Sequence, residues 1–397
     1  MKEYENLCLS LKASVIFKNV LRDKAVSALT KLLDCNGDNT EKFVLLYSDF
    51  VSALYEKEDN LTKYINEILQ NDDNAYVKSC AAGKVSPYLK KAAECELNSF
   101  AALADIKSID IKKHCDNGIF LPEWENGGTD IKKEYEQKIS SVATKGYGIY
   151  AKYKMFFFKD GEIVPVKYPD PQRLSQMSGY ENERQKVIDN TLALINGRPC
   201  SNILLYGDAG SGKSSTVKAV VNEYYGMGLR LIEVKKNQLY SLPDILERLA
   251  DNPLKFIIFI DDLSFSSSDG DFSALKAILE GGAAGKAGNT VIYATSNRRN
   301  LVKESFGDRD GDDIHIQDTI QEIMSLSARF GLKITFSRPD KDLYLSIVEN
   351  LSLQYNIHIN KDELLKNAEA FALRNGGRSP RAAKQFVEYL ASREILT

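Results

Sequence analysis

What the chain lacks narrows its function before any motif is read. Three histidines (His114, His315, His358) and six cysteines (Cys8, Cys35, Cys80, Cys95, Cys115, Cys200) are scattered over 397 residues with no Cys-x-x-Cys pair. That spacing supplies no zinc ligand set and no local Cys–His nucleophile signature, and it fits buried free thiols in a reducing cytosol. No apolar run approaches the ~18 residues needed to cross a bilayer. The opening Met1-Lys2-Glu3-Tyr4-Glu5, with Lys12 interrupting the apolar residues that follow, forms no signal-peptide core, so a cytoplasmic protein is expected. A net charge of −3 gives no global basic field to draw in nucleic acid or an anionic membrane. Fixed-period repeats and low-complexity tracts are missing too. What remains is an ordinary globular composition, 43% hydrophobic and 27% charged, at a length with room for two or three cores.

The stretch that is present and specific is Gly207-Asp208-Ala209-Gly210-Ser211-Gly212-Lys213-Ser214, which satisfies the pattern G-x-x-x-x-G-K-[ST]. Its glycines let successive backbone N–H groups turn inward onto phosphate oxygens. Lys213 supplies a fixed positive charge at the β- and γ-phosphates, the Ser214 hydroxyl is a Mg²⁺ ligand, and the cradle runs on to Ser215. Before the loop, Asn202-Ile203-Leu204-Leu205-Tyr206 reads as a buried strand. After it, Val217, Val220, Val221 and Tyr224 recur at helical spacing until Gly226 and Gly228. Strand, glycine loop and helix put a helix N-terminus against the phosphates.

Around this centre the chain divides into four predicted parts: 1–145, 146–171, 172–337 and 338–397. The first is helical. Phe43, Tyr47, Phe50, Val51 and Leu54 form one apolar stripe after the possible cap Thr40, and Leu61, Ile65, Ile68 and Leu69 form another. Turn-like segments fall at 36–39, 71–74 and 125–128. The paired lysines at 90–91, 112–113 and 132–133 are interleaved with acids, as on solvated helix faces. This part reads as an accessory or partner-binding module. Next, Met155 to Lys159, Asp160-Gly161 and Glu162 to Val166 signal a hairpin with a type I′ turn, and Tyr168-Pro169-Asp170-Pro171 reads as a stiff linker and domain boundary.

From 172 onward helix and strand alternate. Strands are predicted at 230–234, 255–260, 290–294 and 332–336, the second of them a continuous apolar run suited to a central parallel strand. The predicted fold is α/β, a three-layer parallel sheet of the P-loop NTPase kind, followed by a helical lid whose helices start near Asp340, Asn360 and Ser379. Residues 281–288 and the acidic 308–313 read as mobile loops near the mouth of the site.

The run 256–260 ends in Asp261-Asp262, and ligands of an open parallel sheet sit beyond the carboxyl ends of its strands. Asp261 is therefore placed to hold Mg²⁺ and Asp262 to polarise an attacking water. With these residues in view, the chain from 174 to 397 resembles the AAA+ superfamily of P-loop ATPases. Within it, the chain is most similar to a bacterial ATP-binding family designated domain of unknown function eight-fifteen. The resemblance implies that Leu174, Met177, Gly179 and Tyr180 border the adenine, that 207–214 and 258–262 are the two Walker motifs, and that Asn297 is the polar sensor of the lytic water. It further implies that Arg329 is an arginine finger reaching a neighbouring subunit and that Arg381 is the lid sensor, with Arg378 as its rival. An amide beyond a strand end can both donate to water and accept from it, and arginine fingers are worth ~10³–10⁵ in rate.

Two positions depart from the pattern. Most AAA+ proteins carry Glu where this chain has Asp262, one methylene shorter, so slow turnover is expected; some helicase-loader and initiator branches share the paired aspartates. Ala328 stands where close relatives would have an acid. The resemblance implies ATP and ADP as ligands, Mg²⁺ as cofactor, a homo-oligomer in the ATP state and an unknown protein partner to remodel. Two alternatives stay open: an ATP-gated switch or scaffold with negligible hydrolysis, and a DNA-associated loader, for which Arg298-Arg299 and Lys235-Lys236 are the basic clusters near the core. A small-molecule kinase lacks an acceptor-binding segment.

Overall fold

The computed structural model describes residues 4–35, 39–114, 118–264, 275–276, 278–279, 288–297 and 327–394. Residues 36–38 of the turn expected at 36–39, 281–287 of the loop expected at 281–288, the loop at 308–313, Cys115, His315 and Arg298-Arg299 lie outside the described residues. The chain divides between Lys152 and Tyr153 into two units. None of the described helices is long and apolar enough to cross a membrane.

The first unit is helical because its apolar positions recur at helical spacing and its helices start on strong caps. Both predicted stripes are buried, apart from the half-buried Ile68, in the helices Thr40–Tyr55 and Leu61–Asn71. The cap of the first is Asn39, not Thr40: its Oδ1 accepts the N–H of Lys42, and Thr40 is the first helical residue. Asn60, Asn74 and Ser86 cap in the same way. The core centres on Phe17, Tyr47, Phe50, Phe100 and Trp124, whose indole N–H donates to the carbonyl of Ile106 at 2.9 Å. Lys138 is also buried here, and its Nζ donates to the carbonyls of Leu69 (3.1 Å) and Asp72 (3.3 Å). No disulfide joins the described cysteines; Cys8 and Cys35 are buried as expected, whereas Cys95 is exposed.

The second unit holds a seven-stranded sheet. Its strands are β1 (Met155–Lys159), β2 (Glu162–Pro165), β3 (Ile203–Gly207), β4 (Leu229–Glu233), β5 (Lys255–Ile260), β6 (Thr290–Ser296) and β7 (Leu332–Phe336), in the order β2-β1-β4-β5-β6-β3-β7. All neighbours are parallel except the β1–β2 hairpin, whose turn residues Asp160 and Gly161 both have positive φ, as a type I′ turn requires. The hairpin is no separate element. β1 pairs with β4, so the division of the chain falls before the hairpin and not after the linker at 168–171. β5 is buried from Phe256 through Ile260 on both faces. Ile257 and Phe259 face a core shared with the helices Glu181–Ile195 and Lys213–Tyr224, and the alternate residues face the other way. The lid is three helices, Lys341–Gln354, Lys361–Arg374 and Pro380–Glu394, the first two capped by Asp340 and Asn360.

Candidate active site

The carboxyl ends of β3, β6 and β5 lie side by side, with Leu205 opposite Thr295 and Ile260 opposite Ala294. This register brings the glycine loop, Asp261-Asp262 and Asn297 to one edge of the sheet, around a cavity of about 460 Å³. Met177, Tyr180, 209–215, Asp261, Asp262, Asn297 and Arg381 line it; Leu174, Gly179, Gly207 and Asp208 do not. Arg329 is also outside the lining, in the short helical turn just before β7.

Two loop glycines have positive φ, and close approach adds to this, severely at Gly207 and mildly at Gly210. Gly207 has φ 141°, and a Cβ there would stand 2.0 Å from the carbonyl oxygen of Phe336 on β7. Gly210 has φ 78°, and a Cβ there would stand 3.1 Å from the Cβ of Arg381. The lid is seated on the loop: the Arg381 N–H donates to the Gly210 carbonyl at 3.2 Å. Arg378 instead forms a two-pronged pair with Glu369, 2.8 Å at each contact. Of the two lid arginines, Arg381 is the one at the cavity.

Lys213 is buried at the start of its helix. Its Nζ donates to the carbonyls of Gly207 (2.9 Å) and Asp208 (2.8 Å), to Ser211 Oγ (3.4 Å) and to Asn297 Oδ1 (3.1 Å). Burial lowers its pKa from the ordinary lysine value, and Asp208, Asp261 and Asp262 act against that shift. The Asn297 amide donates to Asp262 Oδ1 at 2.8 Å, so the lysine and the second acid share one neighbour. Asp262 has φ 53°, uncommon for a residue other than glycine. Asp261 Oδ1 accepts from Ser214 Oγ at 2.6 Å and from Thr295 Oγ1 at 2.5 Å. Ser214 and Asp261 thus set two hard oxygens side by side, the donor chemistry that Mg²⁺ takes.

At the other end of the cavity, the Tyr180 ring lies 5.3 Å from the Phe336 ring, and its hydroxyl donates to the Ser337 carbonyl at 2.6 Å. Burial pushes that hydroxyl's pKa up to about 12, with Glu183 and the more distant acids adding to the shift. Gly179 has φ 76°, and a Cβ there would stand 3.0 Å from Leu343 and 3.1 Å from Ile347 of the lid. The buried guanidinium of Arg184 donates to the carbonyls of Gly179 and Met177, the latter at 3.1 Å, which holds the 177–180 segment against the cavity.

Sequence reasoning missed Thr295, Arg184 and the linker. Thr295 carries no local signal, since the same strand also holds the hydroxyls of Thr290 and Ser296. Arg184 carries none, since an arginine in a charged helix reads as surface. Asp170, Gln172 and Gln176 form part of the wall because Asn222 of the loop helix donates to the carbonyls of Asp170 and Gln172. The linker is therefore structural.

One strand, β6, stands between the loop strand β3 and the acid strand β5, and its end fills the gap between them. With a helical lid seated on the loop, that insertion places the fold among the AAA+ class of P-loop ATPases. More narrowly, the chain belongs to the family described as protein of unknown function (DUF815), whose model matches residues 151–394. It is also 30% identical over 123 residues to the replication factor C large subunit of Staphylothermus marinus, covering 29% of this chain and 28% of that protein. Among solved structures it is similar to the RuvB Holliday junction branch migration motor of Thermotoga maritima, with 16% identity and a TM-score of 0.37 over 55% of this chain and 63% of that one. The chain thus spans 28% of the first relative's length and less than two thirds of the second's.

Proposed function

We propose that this chain hydrolyses ATP to ADP and phosphate with Mg²⁺, as a homo-oligomer whose nucleotide state rearranges a protein partner. The observation that carries this reading is the connected set of side chains on one cavity: Lys213 to Asn297 (3.1 Å), Asn297 to Asp262 (2.8 Å) and Ser214 to Asp261 (2.6 Å). In this reading the amides of the glycine loop and the N-terminus of the helix Lys213–Tyr224 hold the β- and γ-phosphates, and the Lys213 ammonium balances their charge. Ser214 and Asp261 hold Mg²⁺, which supplies charge neutralisation at the phosphate oxygens. Asp262 accepts the proton of the attacking water, which Asn297 orients by its amide. Met177, Gly179 and Tyr180 flank the base. Arg381 reaches the phosphates from the lid of the same protomer, and Arg329, which lies outside its own protomer's cavity, reaches those of a neighbour.

Steady-state ATP turnover tests the reading. Lys213→Ala, Asp262→Asn and Arg329→Ala should each lower kcat by roughly a hundredfold or more; full activity in all three would end it. The shorter acid favours one alternative, an ATP-gated switch with negligible hydrolysis. Tight ATP binding with no phosphate release from the oligomer would select that reading.

A further inference from the structure

We propose that Thr295 is a positioning residue for the two acids, its hydroxyl and carbonyl together fixing where both carboxylates stand. The inference rests on the hydrolytic reading above and extends it to a residue outside the motifs. Thr295 sits one register step beyond the Ile260–Ala294 pair of β5 and β6, which sets it level with Asp261, and it is buried. Three consecutive residues are tied to it. Its Oγ1 lies 2.5 Å from Asp261 Oδ1, the Asp262 N–H donates to the same Oγ1 at 2.9 Å, and the Leu263 N–H donates to its carbonyl at 2.7 Å.

The directions of these bonds follow from proton counting. A hydroxyl has one hydrogen, and the backbone N–H of Asp262 can only donate, so that hydrogen goes to the Asp261 carboxylate. Thr295 therefore orients the first acid by donating to it and the second by accepting from its backbone. The second effect matters more. Asp262 stands at φ 53°, where L-residues are rarely found without an anchor, and Leu263, the next anchored residue, is fully buried. This left-handed turn carries the Asp262 carboxylate to 2.8 Å from Asn297. An aspartate has one methylene fewer than a glutamate with which to seek its position, so its carboxylate goes where the backbone sends it. Valine at 295 would keep the shape of the side chain and remove the hydroxyl's two bonds; serine would keep both.

The test uses the full chain with Thr295→Val and Thr295→Ser, read by ATP turnover and by Mn²⁺ titration in the presence of a non-hydrolysable ATP analogue. Thr295→Val should lower kcat roughly tenfold or more while KM for ATP stays within about twofold, because the hydroxyl touches the acids and not the loop. Mn²⁺ affinity should fall about tenfold, the usual cost of losing a partner that orients a metal-binding carboxylate. Thr295→Ser should return both to within about threefold of wild type. Wild-type kcat and Mn²⁺ affinity in Thr295→Val would overturn the proposal, and so would a serine variant as impaired as the valine one, which would assign the effect to packing. If the valine variant does not fold, Thr295→Ala carries the same expectations. If wild type itself releases no phosphate, the hydrolytic reading fails separately, and Mn²⁺ affinity alone decides: weakened in valine and restored in serine supports the role of Thr295, unchanged in valine overturns it.

Discussion

Lys138 gives the first unit a pH dependence with a defined sign. Burial lowers its pKa to about 8, against the opposing pull of Asp72 and Asp73. Below that pH the ammonium is protonated in the folded and unfolded states alike, and the fold carries the cost of burying it. Between the folded and the unfolded pKa, the folded state sheds a proton that the unfolded chain keeps, so stability rises with pH. Relative to Lys138→Met, wild type should gain about 2 kcal/mol on going from about pH 7.5 to about pH 9.5. Denaturant unfolding followed by Trp124, the chain's single tryptophan and part of the same helical core, measures the difference. An equal response in both proteins would show that Lys138 titrates as an exposed lysine. Helical spacing puts Lys138 on one stripe with Ile131, Tyr135 and Val142, which marks its face but not its partners. The carbonyls that receive its protons come from about seventy positions earlier, and no local pattern names them.

At the scale of elements, the glycine loop was legible and its reasons were only half so. The pattern accounts for the glycines as positions where backbone N–H groups could turn inward. Gly207 has a second reason, the β3–β7 pairing that sets it opposite Phe336, and that register is invisible in local sequence. Gly207→Ala should therefore destabilise the second unit even without nucleotide, by roughly 3 kcal/mol from backbone strain and overlap together. Gly226→Ala, with nothing within 4 Å and no positive φ, should lie within about 0.5 kcal/mol of wild type. Far-UV circular dichroism during denaturant unfolding checks the pair; equal stabilities would mean that β7 gives way freely. The same contrast runs through the site. Lys213, Ser214, Asp261 and Asp262 could be found from spacing, because each lies within a few residues of a strand end. Thr295 and Arg184 could not, because their partners come from other strands or from the carbonyls of a preceding segment.

At the scale of the molecule, the family match covers the second unit and leaves the helical one outside it. Strand positions and lid helices were readable from periodicity and caps, whereas the boundary was not: β1 joins a strand some seventy residues downstream, and only that pairing assigns the hairpin to the sheet. The role proposed for Arg329 carries a prediction that only an assembly can satisfy. Lys213→Ala and Arg329→Ala proteins, each inactive alone, should recover about a quarter of wild-type turnover when mixed equally, since a quarter of neighbouring pairs then join an intact loop to an intact finger. Turnover that stays at background after subunit exchange would place Arg329 within its own protomer's chemistry or outside it altogether. The hairpin has a last consequence. The outermost strand of the sheet on that side is only four residues long and ends in Pro165, which has no N–H to offer. A long run of exposed peptide groups along β4 would invite a stranger's strand to add itself; the short, proline-stopped rim discourages such accretion and helps keep crowded copies from fusing sheet to sheet.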